Sequence, residues 1–91
     1  MSKSRAHIKI QGRVQGVFFR ASTLDKATEL GLKGWVRNNA DGSVEVVAEG
    51  PKEKIEKLIA WSHEGPRHAV VNNVEVIWAD CLDEYSDFTI E

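Results

Sequence analysis

With 91 residues the chain has room for one hydrophobic core and none for separate cofactor and substrate domains, so residues 1–91 are expected to form a single domain. Its 42% hydrophobic content, including three Trp and three Phe, supports such a core without disulfides. A formal net charge of −2 argues against a surface built to neutralise many nucleic-acid phosphates, and the single Cys81 excludes an intrachain disulfide.

In chain order, Met1-Ser2-Lys3-Ser4-Arg5 is basic but leads into a strand-like segment and not an apolar signal region, and no run of ~18 apolar residues follows. These features predict a soluble, cytoplasmic protein that needs no membrane. His7-Ile8-Lys9-Ile10-Gln11 reads as a strand ending at Gly12, and a loop then runs from about Gly12 to Phe19. From Arg20 to Leu30, Ala21, Leu24, Ala27 and Leu30 recur at helical spacing, with Gly31 as the terminator. Lys33 to Asn39 and Ser43 to Glu49 read as two strands joined by Asn39-Ala40-Asp41-Gly42, where Asp-Gly signals a hairpin. The alternation of Val44, Val46 and Ala48 with Glu45, Val47 and Glu49 predicts one buried face. Gly50-Pro51 opens a second helix carrying Ile55, Leu58, Ile59 and Ser62, and Gly65-Pro66 ends it. Val70 to Trp78 and Asp87 to Ile90 are the last strands, with Val74, Val76 and Trp78 on one side. The order βαββαβ plus a short strand predicts an α+β, ferredoxin-like sandwich: a mostly antiparallel sheet with both helices on one face.

Two segments carry chemistry. Gly12-Arg13-Val14-Gln15-Gly16-Val17-Phe18-Phe19-Arg20 leaves a strand and enters a helix, where backbone N–H groups lack intrahelical partners. Its glycines permit the curvature of an anion-binding nest, and Arg20 offers a planar, permanently charged fork to a phosphate. Arg13, Lys33 and Arg37 are further candidates for that anion site. The alternative is an ordinary connection in which Phe18 or Phe19 plugs the core and Arg20 is solvated. An arginine in a helix's first turn opposes the dipole by ~0.3–1 kcal/mol, which favours an arriving anion. No Lys-Ser/Thr follows, so the loop is not a nucleotide-binding P-loop. In the second segment, Gly34 to Val46, Asn39 fits a structural turn, whereas Asn38 still belongs to the strand, where asparagine is depleted.

Together these segments resemble the paired signatures of the acylphosphatase family. The likeness extends to Leu30-Gly31-Leu32, Gly50-Pro51, the Gly65-Pro66 region and Tyr85-Ser86-Asp87-Phe88-Thr89-Ile90. It implies an enzyme that hydrolyses small acyl phosphates to a carboxylate and inorganic phosphate, with no cofactor or metal, and a monomeric state is expected. By the same resemblance Arg20 binds the phosphate and Asn38 positions the attacking water. The backbone amides of Gln15, Gly16, Val17, Phe18, Phe19 and Arg20 cradle the phosphate, and Thr23 fits the pattern after the arginine. Counting from Trp35 and from Asp41-Gly42 assigns the asparagine role to Asn38. The sequence departs from the common pattern at Leu24 and Asn39.

His7, His63 and His68 are scattered without metal-ligand spacing, and Cys81 precedes Asp83 and Glu84, which disfavour a thiolate. The acidic stretch near residues 80 to 87 reads as a solvated turn. Two rival readings remain. One is an RNA-recognition-like module, which shares the element order but would lack stacking aromatics on Val44 to Glu49 and His7 to Ile10. The other is an acylphosphatase-like module that binds carbamoyl phosphate or regulates a larger assembly, as in hydrogenase maturation proteins; the chain length favours a stand-alone enzyme.

Overall fold

Alternation along the strands determines what faces the helices. The computed structural model describes residues 2–91, and its strands are β1 (Lys3–Arg13), β2 (Lys33–Asn38), β3 (Val44–Pro51), β4 (Val70–Asp80) and β5 (Phe88–Ile90). The helices are α1 (Phe19–Glu29) and α2 (Lys52–Ser62). The sheet order is β4-β1-β3-β2-β5, antiparallel throughout except for the parallel pair β2 and β5. Each helix therefore carries the chain across one intervening strand, which is the ferredoxin-like arrangement.

Ala6, Ile8 and Ile10 of β1, Val36 of β2, and Val44, Val46 and Ala48 of β3 are all fully buried, and they form one core with Phe19, Ala27, Ile55 and Leu58 of the helices. Full burial of a Leu, Ile or Val side chain contributes ~1.5–3 kcal/mol, so this shared layer outweighs any single polar contact in holding the helices on the sheet.

The structure departs from the sequence pattern at several local points. Strand β1 extends beyond His7 to Gln11 at both ends, because it pairs with β3 on one side and β4 on the other. The buried face of α1 is Phe19, Thr23 and Ala27, spaced at i, i+4 and i+8, while Ala21 is exposed and Leu24 half-buried. Phe19 sets that face by packing its ring 5.5 Å from Trp61 of α2. Thr23 is tolerated inside because its hydroxyl donates to the Phe19 carbonyl at 2.8 Å.

Strand β3 is buried on both faces, not one. It lies at the centre of the sheet, and the segment between β4 and β5 is tied across its second face. Glu49, only 4% exposed, pairs with Arg5 at 3.3 Å and accepts the N–H groups of Leu82 at 2.8 Å and Glu84 at 3.2 Å. Tyr85 accepts from Trp35 Nε1 at 3.1 Å and from Arg5 Nη2 at 3.4 Å. The acidic stretch is thus a strap held by a buried carboxylate, and not simply a solvated turn.

Gly34 lets β2 approach β3: its φ is 139°, and a Cβ there would lie 1.8 Å from the Val47 carbonyl oxygen. The obstacle is backbone, which cannot rotate away as a side-chain tip does. Gly34→Ala is expected to destabilise the fold by at least ~3 kcal/mol, read as a lowered denaturation midpoint.

Candidate active site

Strand β1 delivers the chain into the loop at Val14, which is buried and fixes the loop's base. Gly16 (φ 75°) and Phe18 (φ 65°) both adopt left-handed backbone angles, so the loop curls before α1 begins. Such alternation turns successive amides toward one point. The first turn of α1 has its opening intrahelical bond from the Ser22 N–H to the Phe18 carbonyl, at 3.0 Å. The N–H groups ahead of Ser22 therefore have no acceptor inside the helix. Phe18 supplies no side-chain cap, and the first turn holds no acidic residue. It holds Arg20 instead.

On β2, Asn38 follows Val36 by two residues and shares its helix-side face. Asn38 Oδ1 is buried and has no hydrogen-bond partner within the protein. Gly16, Phe18, Phe19, Arg20 and Asn38 line one cavity of about 350 Å³, together with Val14, Ala21 and Ile90. Two chain segments separated by a whole helix thus meet around a space with a guanidinium, free helix-terminal amides and a side-chain amide.

Gln15 and Val17 do not line this cavity. Gln15 serves the site through its side chain: Nε2 donates to the carbonyls of Asn39 at 2.8 Å and Ser43 at 2.9 Å, tying the loop to the β2–β3 hairpin. Asn39 closes that hairpin. Its N–H donates to the Ser43 carbonyl at 2.8 Å, its carbonyl accepts from Gly42 at 3.1 Å, and its Nδ2 donates to Ser43 Oγ at 3.0 Å.

The other cations proposed for the anion site lie elsewhere. Arg37 is one residue out of phase with Asn38, so it occupies the opposite face of β2, bonded to Glu45 Oε1 at 2.9 Å and stacked 4.8 Å over the Trp35 ring. Lys33 starts β2, at the end remote from Asn38, and Arg13 is exposed at the end of β1. Ile90 reaches the cavity through the parallel register that sets it beside Val36, where the Glu91 N–H donates to the Val36 carbonyl at 2.9 Å. Nothing in the sequence pattern signals that placement, because it depends on which edge β5 joins.

Among the described residues, no three His, Cys, Asp or Glu side chains gather, and no helix is long and apolar enough to cross a membrane. The cavity is suited to a small tetrahedral anion whose oxygens meet amides and the arginine. The family model described as Acylphosphatase matches residues 6–90. The chain belongs to the acylphosphatase family.

An acylphosphatase from Pelotomaculum thermopropionicum is 51% identical over 90 residues, spanning 99% of this chain and 98% of its own. The solved acylphosphatase of Coxiella burnetii superposes with a TM-score of 0.93 at 43% identity, covering 99% of this chain and 94% of that one. A T. kodakarensis HypF structure also matches, with a TM-score of 0.84 and 31% identity, but this chain covers only 12% of it. As a member of that family it is an enzyme that hydrolyses small acyl phosphates.

Two expectations follow from the hairpin. Asp41 accepts from Ser43 Oγ at 2.6 Å and from the Ser43 N–H at 3.0 Å, and it faces Lys9 Nζ at 3.0 Å. The Ser43 bonds first, and the lysine after them, hold its carboxyl well below the ordinary range. A depressed folded-state pKa contributes stability that is present above the unfolded value of about 4 and lost as pH falls through the folded value. The melting-temperature gap between wild type and Asp41→Ala should therefore be full at neutral pH and shrink steadily once the pH falls below about 4. Gln15→Glu keeps the size but sets an acceptor against two carbonyls. It should lower kcat/KM by about tenfold or more and destabilise the fold by ~1–3 kcal/mol, measured by steady-state kinetics and chemical denaturation.

Proposed function

We propose that Arg20 and Asn38 form the catalytic pair of this acylphosphatase and that the loop from Gln15 to Arg20 supplies the amides that hold the transferred phosphoryl group. The observation that carries this reading is the buried, unpartnered Asn38 Oδ1 in the same cavity as Arg20 and the open N-terminus of α1. Leaving a buried amide oxygen unbonded costs ~1–3 kcal/mol, which a water or ligand group donating to it would recover.

Phosphoryl transfer needs stabilisation of the equatorial oxygens and an attacking water held in line. Arg20 and the loop amides meet the first need. Asn38 meets the second, accepting a hydrogen bond from the water through Oδ1 while Nδ2 donates to a phosphate oxygen. Neutral asparagine is a poor base, so the water's proton passes to an oxygen of the substrate's own phosphate. The water oxygen bonds to phosphorus, the bridging bond breaks, and the carboxylate leaves. We read the chain as one domain working as a cytoplasmic monomer, with acyl phosphate as its substrate and inorganic phosphate as product.

With benzoyl phosphate, wild type should turn over substrate without added metal and be unaffected by a chelator. Arg20→Ala and Asn38→Ala should each lower kcat/KM by about 10³ or more. Full activity in both variants would overturn the assignment, and tight binding of carbamoyl phosphate without turnover would favour a binding or regulatory module.

A further inference from the structure

Phe18 and Phe19 are neighbours with opposite fates. Phe19 is fully buried and supplies the core contact to Trp61, while Phe18 is 80% exposed. Phe18 also sits at φ 65°, a left-handed conformation that a bulky residue adopts only with strain and that glycine adopts freely. Neither the loop's curvature nor the core needs an aromatic side chain here. Phe18 nevertheless lines the cavity, and so do Ala21 and Ile90, the latter 43% exposed and held by the β2–β5 register.

The cavity lining is therefore mixed: Arg20, the amides at the start of α1 and Asn38 supply polar groups, and Phe18, Ala21 and Ile90 add apolar surface to that of Val14 and Phe19. In an acyl phosphate the acyl carbon is separated from phosphorus by one oxygen atom. A substituent on that carbon therefore starts within a few bonds of the phosphate cradle, in reach of the apolar residues that line the same cavity. We propose that Phe18 and Ile90 are specificity-determining residues that clamp the acyl group, selecting acyl phosphates with an aromatic or other bulky apolar acyl group over acetyl phosphate. This inference rests on the phosphate cradle proposed above. The strain and exposure of Phe18 are offset when the ring gains an apolar partner from the substrate.

The test compares kcat/KM for benzoyl phosphate and acetyl phosphate in wild type, Phe18→Gly, Ile90→Thr and the double variant, with Arg20→Ala alongside. The glycine variant relaxes the backbone, so it should fold, and Ile90→Thr keeps the β-branched shape that suits a strand. The benzoyl-to-acetyl ratio is expected to fall by about tenfold in the double variant, with each single variant contributing, as a lost apolar pocket contact predicts. If Arg20→Ala abolishes turnover but the ratio moves by less than about twofold in every Phe18 and Ile90 variant, the clamp is overturned while the cradle stands. If Arg20→Ala retains full turnover, the cradle falls and the clamp falls with it.

Discussion

The two hydrogen bonds from Gln15 Nε2, to the carbonyls of Asn39 and Ser43, tie the loop before α1 directly to the hairpin, beyond the β1–β3 pairing and the Lys9–Asp41 ion pair that set their strands side by side. The loop before α1 is anchored from β1, and the hairpin is anchored from β2 and β3. The β1–β3 ladder sets where the two begin, and beyond its last pair, Ile10 with Val44, the loop and the hairpin turn each follow their own backbone course. A neutral hydrogen bond contributes only ~0.5–1.5 kcal/mol to stability. Its larger effect here is geometric, because one side-chain amide with two donors fixes the loop against two successive points of the hairpin. The tie brings together the elements that carry Arg20 and Asn38, and the catalytic role proposed for that pair depends on such a link.

Strand parity does the rest of the positioning. Val36 and Asn38 share the face of β2 that meets the helices, so the packing that buries Val36 also carries Asn38 toward the start of α1. Arg37, between them, is forced to the other face and into the company of Glu45 and Trp35. Asn39 lies past the end of β2 and spends its amide and backbone groups on Ser43 and Gly42. A shift of one residue in the β2–β3 pairing would exchange these roles, and the close approach permitted by Gly34 is one of the features that prevents it.

The element order, the hairpin turn and both helices were legible because they rest on local signals: hydrophobic period, Asp-Gly, and glycine or proline at element ends. The buried faces were less legible. The period of α1 suggested Ala21 and Leu24, but Phe19 buries far more apolar area than either and rotates the helix to suit its contact with Trp61. Glu49 looked like a solvent-facing residue because carboxylates in alternating strands usually are. Its burial depends on partners 33 to 44 positions away, and no window of sequence displays them. Within the site, Arg20 carried a physical argument of its own from the helix dipole. The loop pattern marks Gln15 for its backbone amide, and the use of its side chain depends on the folded hairpin, which no local window displays.

The two helices differ in how their starts are balanced. Neither has a side-chain cap, but α2 carries Glu53 in its first turn, whereas α1 carries no acid there and has Arg20 beside its unpaired amides. The total charge of the chain is negative, yet the potential at the cavity is set by groups within a Debye length of about 8 Å and not by the sum. Several carboxylates are engaged by partners: Glu45 faces Arg37 and His7, Asp41 faces Lys9 and Ser43, and, at the far end of β3, Glu49 faces Arg5 beneath the strap. None of them lines the cavity. An acidic chain can therefore still offer a site suited to an anion, because the residues lining this cavity include a cation and a helix terminus but no carboxylate.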